Sequence, residues 1–466
     1  MTTSSLPTDP ARAWARYEPG PDAPWDLARV AHLHRRAGFS APWPVLQRDL
    51  KDGPAASIDR LIKGEAETPD GRSSEAFEAL ASAMDRQLAP AAALTRLQAL
   101  WLYRMVFTPH PLRERMTLFW HNHFATSETK VQNAGLMRAQ VALFRKYALG
   151  DFKAMLAEVC KDPAMLIWLD STENRKAHPN ENYAREVMEL FTLGRGRYTE
   201  KDVQEAARAF TGWFVRRDGF EVVPSQHDGG EKTVLGRSGR FDGNDVPGIL
   251  LAQPACAEFL CTKLVRAFVT EVDPITPEMV GPLAEAFRAS GYDASVPVGI
   301  ILKSRLFFDP SARRRRVKSP VEFAAGTVRA LEVLKPTVKA DALAEACARM
   351  GQGLYAPPSV AGWDGGPAWI NSTTLLARTN LALAMTSADD ADLGRRLDPR
   401  ALAARHGFTG PKGATAFFAD LLVQDALDPP LRARIESAAR SAAGGEAATA
   451  REAAVLVLTS PEYQLA

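Results

Sequence analysis

The chain has 466 residues, of which 46% are hydrophobic and 24% are charged, and these ordinary values exclude a largely disordered or fibrous protein. The formal net charge of +2 at pH 7 is nearly balanced, so the overall charge gives no reason to expect a nucleic acid or an anionic membrane as a partner. The length suffices for two or three domains, or for one large helical domain with appendages.

The N-terminus, the hydropathy and the cysteines give no sign of export or membrane insertion. Residues 1–25 form a polar arm that lacks the apolar stretch of a signal peptide. No segment reaches the roughly 18 uninterrupted apolar residues of a membrane span. The cysteines are scattered and form no CxxC pair, which predicts reduced core residues; they are Cys160, Cys256, Cys261 and Cys347. We therefore expect a cytoplasmic protein without a transmembrane segment, and export by another route stays open.

Helical periodicity dominates the chain from residue 26 onward. A first helical region, 26–215, contains predicted helices at about 26–38, 41–64, 74–109, 111–125, 133–148, 151–159, 181–194 and 200–214. A glycine-rich stretch follows at 216–250 and predicts a small β-hairpin insertion near 220–248. A second helical region, 251–385, includes a loop rich in Pro, Gly and Trp at 352–371, and a third covers 386–466 with a last helix at about 430–457. The predicted fold class is mainly α, a large multi-helix orthogonal array with a small β-hairpin insertion.

The segment from Asn180 to Gly194 is an amphipathic helix with a dense polar face. At about 100° per residue, Asn182, Arg185, Glu186 and Glu189 share that face. Because the two glutamates lie one turn apart, they could bind a cation or transfer protons. A solvated helix face explains the same pattern, and periodicity does not separate the two interpretations.

The segment from Tyr198 to Trp213 predicts a second helix that packs beside the first as an αα-hairpin. Thr199 and Asp202 have the spacing of a capping box, which alone accounts for that aspartate. Arg208 lies one turn from Glu205, as in an ordinary intrahelical ion pair, and is also placed to orient an anionic group.

Two histidines, His121 and His123, lie near the end of a predicted helix. They are about 200° apart on a helix, so both cannot face one metal ion unless the helix ends there. His123 shares the apolar arc, where a hydrogen-bonded core histidine is the alternative to a metal ligand or a catalytic residue. The HNH tripeptide does not indicate a nuclease, because the working residues of those enzymes are spread over a ββα element.

Three loop segments carry further polar or aromatic residues. His227 precedes Asp228 and two glycines in a turn, a weak match to helical phosphohydrolases that can supply a loop ligand. Trp363, Trp369 and Asn371 lie in the Pro-, Gly- and Trp-rich loop, whose composition suits stacking on a sugar, a base or an apolar ligand. A loop pinned to the core by its aromatic rings is the alternative. The basic run 313–316 could contact phosphate, but such runs are usually solvated.

Several long motifs together resemble the bacterial domain-of-unknown-function family 1800. They are HLHRRAGF at 32–39, MTLFWHNHFATS at 116–127, the Asn180 to Gly194 and Tyr198 to Trp213 segments, His227-Asp228, SPVEF at 319–323, and the loop from Gly351 to Asn371. The resemblance spans about residues 26–385. It implies no established reaction. It does imply a co-encoded, sulfatase-like protein as a partner, and through it an exported pathway.

These features lead to one functional hypothesis and one rival. The hypothesis is a metal-dependent, hydrolase-like enzyme that uses a divalent ion and acts on a small molecule not identified by the sequence. Its predicted metal ligands are His121, His123, Glu186, Glu189 and His227. Its predicted catalytic residues are Glu186, Glu189, Arg185 and Arg208, and its predicted substrate-binding residues are Asn182, Trp363, Trp369 and Asn371. The rival is a non-catalytic helical scaffold or accessory partner whose polar network fixes helix packing.

Overall fold

A computed structural model describes residues 9–87, 94–334, 338–387, 393, 397–424, 427, 429–441 and 445–466. Residues 1–8 of the predicted polar arm lie outside this description. The α-helices of the described parts are α1 (Pro10–Trp14), α2 (Leu27–Ala37), α3 (Trp43–Asp52), α4 (Pro54–Lys63), α5 (Ser74–Gln87), α6 (Leu94–Phe107), α7 (Pro111–His123), α8 (Glu128–Val131), α9 (Ala134–Lys146), α10 (Phe152–Val159), α11 (Pro163–Trp168), α12 (Glu181–Met188), α13 (Glu200–Ala209), α14 (Asp245–Leu251), α15 (Pro254–Phe268), α16 (Pro277–Ala289), α17 (Ser295–Lys303), α18 (Arg305–Phe308), α19 (Pro320–Ala330), α20 (Ala340–Arg349), α21 (Ser372–Thr386), α22 (Pro399–Arg405), α23 (Gly410–Leu422), α24 (Pro429–Ser441), α25 (Gly445–Thr459) and α26 (Pro461–Gln464).

Local sequence explains where many of these helices begin. Side-chain caps open several of them, as where Asp162 accepts a hydrogen bond from the backbone of Met165 at the start of α11. The predicted capping box of Thr199 and Asp202 opens α13 and is confirmed. The predicted helix 41–64 is two helices, because Gly53 adopts a φ of +85° between α3 and α4.

The helix that begins at Glu181 changes its pitch before it ends. Its last turn, Glu189–Leu193, is a π-helix, and Gly194 closes it with a φ of +79°. Gly194 donates its backbone N–H to the carbonyl of Glu189. The helix stops here, so the carbonyls of its last turn need partners outside it.

The predicted hairpin insertion consists of two small antiparallel hairpins. The first pairs β1 (Trp213–Arg216) with β2 (Gly219–Val222), and the second pairs β3 (Lys232–Val234) with β4 (Arg237–Gly239). The first strand therefore begins earlier than the sequence pattern indicated. The second hairpin packs on α13, where Val234 is fully buried and Asp202 accepts a hydrogen bond from the backbone of Leu235.

Buried hydrophobic side chains of the described residues form one continuous core that all three predicted helical regions enter. The chain joins this core from its first described residues, since Ala13 and Tyr17 are buried and Trp14 donates a hydrogen bond to the carbonyl of Met279. The predicted reduced cysteines are confirmed, since all four are free and buried. No single helix among the described residues is long and apolar enough to cross a membrane; α14 and α15 reach that length and composition only as a pair bent by 74°.

Candidate functional site

The polar face of the helix that begins at Glu181 is partly exposed, and Arg185 and Glu189 on it pair with nearby side chains. Arg185 bonds Glu200, with nitrogen–oxygen distances of 2.6 and 2.9 Å, and also pairs with Glu181 at 3.0 Å. Glu189 accepts hydrogen bonds from Arg195 and Tyr198. Partial burial, reinforced by the charge of Glu189, raises the pKa of Glu186.

Arg208 bonds Glu205 and Asp228 beside the second hairpin, with nitrogen–oxygen distances of 2.9 and 2.7 Å. Asn182 donates its side-chain amide to the carbonyl of Leu169. Both residues therefore have local structural partners.

The three predicted histidine ligands face different surroundings. His121 is fully buried, and its Nε2 accepts the backbone N–H of Tyr355 at 3.1 Å. His227 lies in the loop before the second hairpin, where its Nδ1 is 3.0 Å from the carbonyl oxygen of Thr211. His123 faces the end of the π-helical turn. Within the described residues, no group of three or more His, Cys, Asp or Glu side chains lies close enough to hold a metal ion, so the five predicted ligands do not form such a group.

A cavity of about 440 Å³ lies instead between α7, α15, the segment that leads into α19, and the Trp-rich loop. Pockets that bind small molecules are typically about 300–1,000 Å³. Its lining includes the predicted residues His123, Trp363 and Trp369 together with Arg115, Leu118, Phe119, Asn122, Lys263, Arg266, Ala267, Glu271, Arg316, Ser319, Gln352, Ala361, Asp364, Gly365, Gly366 and Pro367. Asn371 is not in that lining; it caps α21 by accepting a hydrogen bond from the backbone of Thr374.

Helix α7 contributes one stripe of the cavity wall. Arg115, Phe119 and Asn122 follow one another at intervals of four and three residues, so they share one face of the helix. Lys263 and Arg266 do the same from α15. The cavity therefore lies where two helix faces meet.

Arg115, Arg316 and Glu271 form a charged part of the cavity wall, here called the floor, and Glu322 pairs with both arginines from outside the lining. Glu322 makes ion pairs with Arg115 and Arg316, and Arg316 also pairs with Glu271 at 2.8 Å. Burial opposes ionisation of Glu322, but the two arginines outweigh it and lower its pKa to about 2. Its other oxygen accepts the backbone N–H of Ser319 in the capping box that opens α19, so the cap also places the carboxylate.

The pKa values of the two arginines in this floor are shifted in opposite directions. Burial lowers the pKa of Arg115 to about 10 although Glu322 partly offsets it. Burial also disfavours the cation of Arg316, but Glu322 and Glu271 together raise its pKa above the ordinary value. Arg115 is thus the arginine whose charge is less well compensated by the chain.

Lys263 and His123 form a hydrogen-bonded pair against the end of the π-helical turn. The Nε2 atom of His123 is 3.0 Å from the carbonyl oxygen of Phe191, and its Nδ1 is 3.0 Å from Nζ of Lys263. Lys263 also donates to the carbonyl of Leu190 at 3.2 Å. These two carbonyls belong to the last turn before Gly194, where helix carbonyls lack intrahelical donors.

The tautomer of His123 follows from its partners. A carbonyl oxygen only accepts, so Nε2 carries the proton and Nδ1 accepts from Lys263. Burial, assisted by the charge of Lys263, holds the pKa of His123 well below its ordinary value, so the ring is neutral. Burial likewise lowers the pKa of Lys263 to about 8, with Arg266 acting in the same direction.

The backbone of the Trp-rich loop is held against Asn122 of α7. Asn122 accepts the backbone N–H of Trp363 at 2.7 Å, and Gly362, with a φ of +84°, lies directly against Asn122. Trp363 and Trp369 are 8% and 7% exposed, so the rings are part of the packed wall as well as the cavity lining. Both interpretations of this loop, core anchor and ligand platform, therefore agree with its geometry.

Sequence reasoning missed Arg115, Lys263, Arg316 and Glu322. The basic run 313–316 was expected to be solvated, but Arg316 is only 8% exposed because Glu271 and Glu322 neutralise it. One signal was available, since Ser319 and Glu322 have the spacing of a capping box. Nothing in the sequence indicates that this carboxylate also binds two arginines.

The fold and the site define a mainly α-helical protein with a cationic and aromatic cavity between two helices and a loop. The chain belongs to the family described as a protein of unknown function (DUF1800), whose profile matches residues 32–465. The family membership expected from the motifs is therefore confirmed. No match is found among curated proteins or among solved structures.

Proposed function

We propose that the protein is an enzyme that acts on a small organic acid, and that the cavity is its active site. The observation that carries this proposal is the presence of Arg115, Arg316 and Lys263 in one cavity with Trp363 and Trp369. Arginine binds carboxylate and phosphate groups through paired hydrogen bonds. Tryptophan rings pack on flat apolar or sugar-like groups. The cavity thus suits a small molecule that carries both an acidic group and an apolar body.

The charge of the lining supports an anionic ligand. Four basic side chains line the cavity, namely Arg115, Lys263, Arg266 and Arg316, against the two acidic ones Glu271 and Asp364. Burial lowers the pKa of Arg115 to about 10 although Glu322 pairs with it. An acidic group bound beside Arg115 would add a second negative partner in a site of low polarity.

The proposed site differs from the one predicted for a metal-dependent hydrolase. The outward face that carries Glu186 and Glu189 makes local ion pairs, whereas His123 lies in the cavity beside a lysine of lowered pKa. A titratable amine in a cavity is a common feature of enzyme active sites. Lys263 is the residue that we place in contact with the reacting part of the substrate.

A non-catalytic scaffold is the second proposal, and one observation favours it. Glu322 connects α7, α19 and the segment at Arg316 through ion pairs and a capping box, and such a network can fix the packing of three segments without any ligand. The two proposals differ in whether a small acid binds.

Thermal unfolding of the full chain with phenylacetate and with phenylacetamide separates the proposals, because the two molecules differ in the acidic group. We expect phenylacetate to raise the unfolding temperature in a concentration-dependent way and phenylacetamide to have little effect.

Arg266→Gln removes an exposed charge at the cavity. In this variant, phenylacetate binding should weaken about fivefold, as for a partly screened charge worth about 1 kcal/mol. Arg237→Gln, on the second hairpin, is the matched control and should bind as the unmodified chain does.

Equal effects of the acid and the amide, or equal effects of the two arginine substitutions, would contradict an acid-binding cavity. If phenylacetate, pyruvate and inorganic phosphate all leave the unfolding temperature unchanged, the scaffold proposal is favoured.

A further inference from the structure

We propose that Lys263 is a nucleophile that forms an imine with the carbonyl carbon of a 2-oxo acid bound in the cavity. This inference rests on the proposed function, because it uses the acid-binding cavity and names the class of acid. The carbonyl group and the acidic group of a 2-oxo acid are adjacent. One small molecule of this class can therefore meet both the amine and the arginines of a single cavity.

The first argument is the orientation of the amine. Nζ of Lys263 donates to Nδ1 of His123 and to the carbonyl of Leu190, at 3.0 and 3.2 Å. A neutral amine has two hydrogens, and both are directed to these fixed acceptors. Its lone pair then takes the remaining tetrahedral position, and Lys263 is part of the cavity wall. The two acceptors thus orient the amine as well as bind it.

The second argument is that His123 stays neutral and does not take a proton from Lys263. The Nε2 atom of His123 is bound to the carbonyl of Phe191, and burial keeps the ring neutral with a pKa well below its ordinary value. His123 therefore accepts a hydrogen bond from Lys263 without becoming protonated. Its role is to position the amine.

The protonation of Lys263 agrees with a nucleophilic role. Burial, with the nearby charge of Arg266, lowers the pKa of Lys263 to about 8. At pH 7 about one molecule in ten then carries the neutral amine, against fewer than about one in a thousand for an ordinary lysine. Lysines in desolvated sites near another cation are activated in this way.

The charged groups that face Lys263 come from several elements. His123 and Arg115 line the same cavity from α7, Arg266 lies one turn along α15, Arg316 and Glu271 come from the loops at the floor, and Asp364 comes from the Trp-rich loop. Arg115, Arg266 and Arg316 are cations that favour a bound carboxylate, and Arg266 also favours the neutral amine. Arg115 and Arg316 would attract the acidic end of the molecule and so orient it away from the amine.

The reaction balances without an additional reactant. The neutral amine adds to the carbonyl carbon, a carbon–nitrogen bond forms, and the π electrons of the carbonyl move to its oxygen. A proton passes from nitrogen to that oxygen. The proton that Lys263 released on becoming neutral then adds to the same oxygen. The carbon–oxygen bond then breaks, water leaves, and the nitrogen lone pair completes a protonated imine. In total, one ammonium group and one ketone give one protonated imine and one water.

Reductive trapping tests the proposal on the full chain. The protein is incubated with phenylpyruvate and sodium cyanoborohydride, digested and mapped by mass spectrometry. We expect a saturable secondary-amine adduct on Lys263 that forms faster as the pH rises to about 8 and that phenylacetate suppresses. Lys263→Arg should lose this adduct. Lys201→Arg, which removes an exposed lysine, is the matched control and should label like the unmodified chain.

The outcomes distinguish this inference from the proposed function. If phenylacetate stabilises the chain but no adduct forms on Lys263, or if adducts are spread over exposed lysines without saturation, the imine proposal is overturned and the acid-binding cavity stands. If an adduct forms on Lys263 and phenylacetate neither suppresses it nor stabilises the chain, the amine is reactive but the acid-binding site is wrong. Failure of both measurements overturns both proposals.

Discussion

The buried ring of His121 should make the protein sensitive to acid. His121 is fully buried, and burial alone lowers its pKa from 6.5 to about 3. Its Nε2 accepts the backbone N–H of Tyr355, so Nδ1 carries the proton, and that atom has no hydrogen-bond partner in the described structure. A second proton would therefore place an uncompensated charge in the core.

The sign and size of the effect follow from the two pKa values. Between pH 6.5 and about 3 the unfolded chain binds a proton at His121 that the folded chain does not, so stability falls as the pH falls. The loss approaches about 1.4 kcal/mol per pH unit and reaches roughly 5 kcal/mol when the folded pKa is reached. Above pH 6.5 this group gives no pH dependence.

The assay compares the unmodified chain with His121→Gln by urea unfolding from pH 4 to pH 7. The amide oxygen of glutamine can accept the same hydrogen bond from Tyr355 but does not titrate. The variant should be less stable at pH 7, because it loses ring contacts with Trp101 and Trp363, and its stability should fall less steeply with acid. His178→Gln, at an exposed position, is the control. Parallel stability curves for the unmodified chain and His121→Gln would refute the reasoning.

Two further predictions concern the cavity wall. Glu322→Gln should destabilise the chain by about 3–5 kcal/mol in urea unfolding, because it leaves two buried guanidinium groups without their shared carboxylate, and a loss below about 1 kcal/mol would contradict that account. Gly362→Ala should destabilise by at least about 2 kcal/mol and weaken phenylacetate binding, since its new Cβ would lie 2.5 Å from the carbonyl oxygen of Asn122. Gly71→Ala is the matched control, because Gly71 has a φ of +82° but no atom within 4 Å of a new Cβ; equal losses would mean that backbone strain rather than the clash is responsible.

The fold was accessible from the sequence because helices and caps are local. Periodicity located most helices, and the spacing of Thr199 and Asp202 identified a cap that the structure confirms. The errors arise where local signals compete. Gly53 divides a long periodic stretch into two helices, and the first hairpin begins at Trp213, within a segment that reads as helical.

The cavity was not accessible in the same way, because its parts are distant in the sequence. Arg115, Lys263 and Arg316 come from separate segments, and no spacing relates them. Their burial depends on tertiary partners, as for Arg316 with its two glutamates. Periodicity instead drew attention to Glu186 and Glu189, since it detects a polar helix face whether that face lies in a site or in water.

The charged floor of the cavity is itself an argument for a ligand over a scaffold. Buried ion pairs are weak contributors to stability, and apolar residues packed in their place are often as stabilising. A role in packing alone therefore gives little reason for Arg115, Arg316 and Glu322 to meet at a cavity wall. Burial also lowers the pKa of Arg115 to about 10 despite its carboxylate partner. A bound acid would both raise that pKa and stabilise the fold. The response to phenylacetate and the loss of stability in Glu322→Gln should therefore be measured in the same preparation.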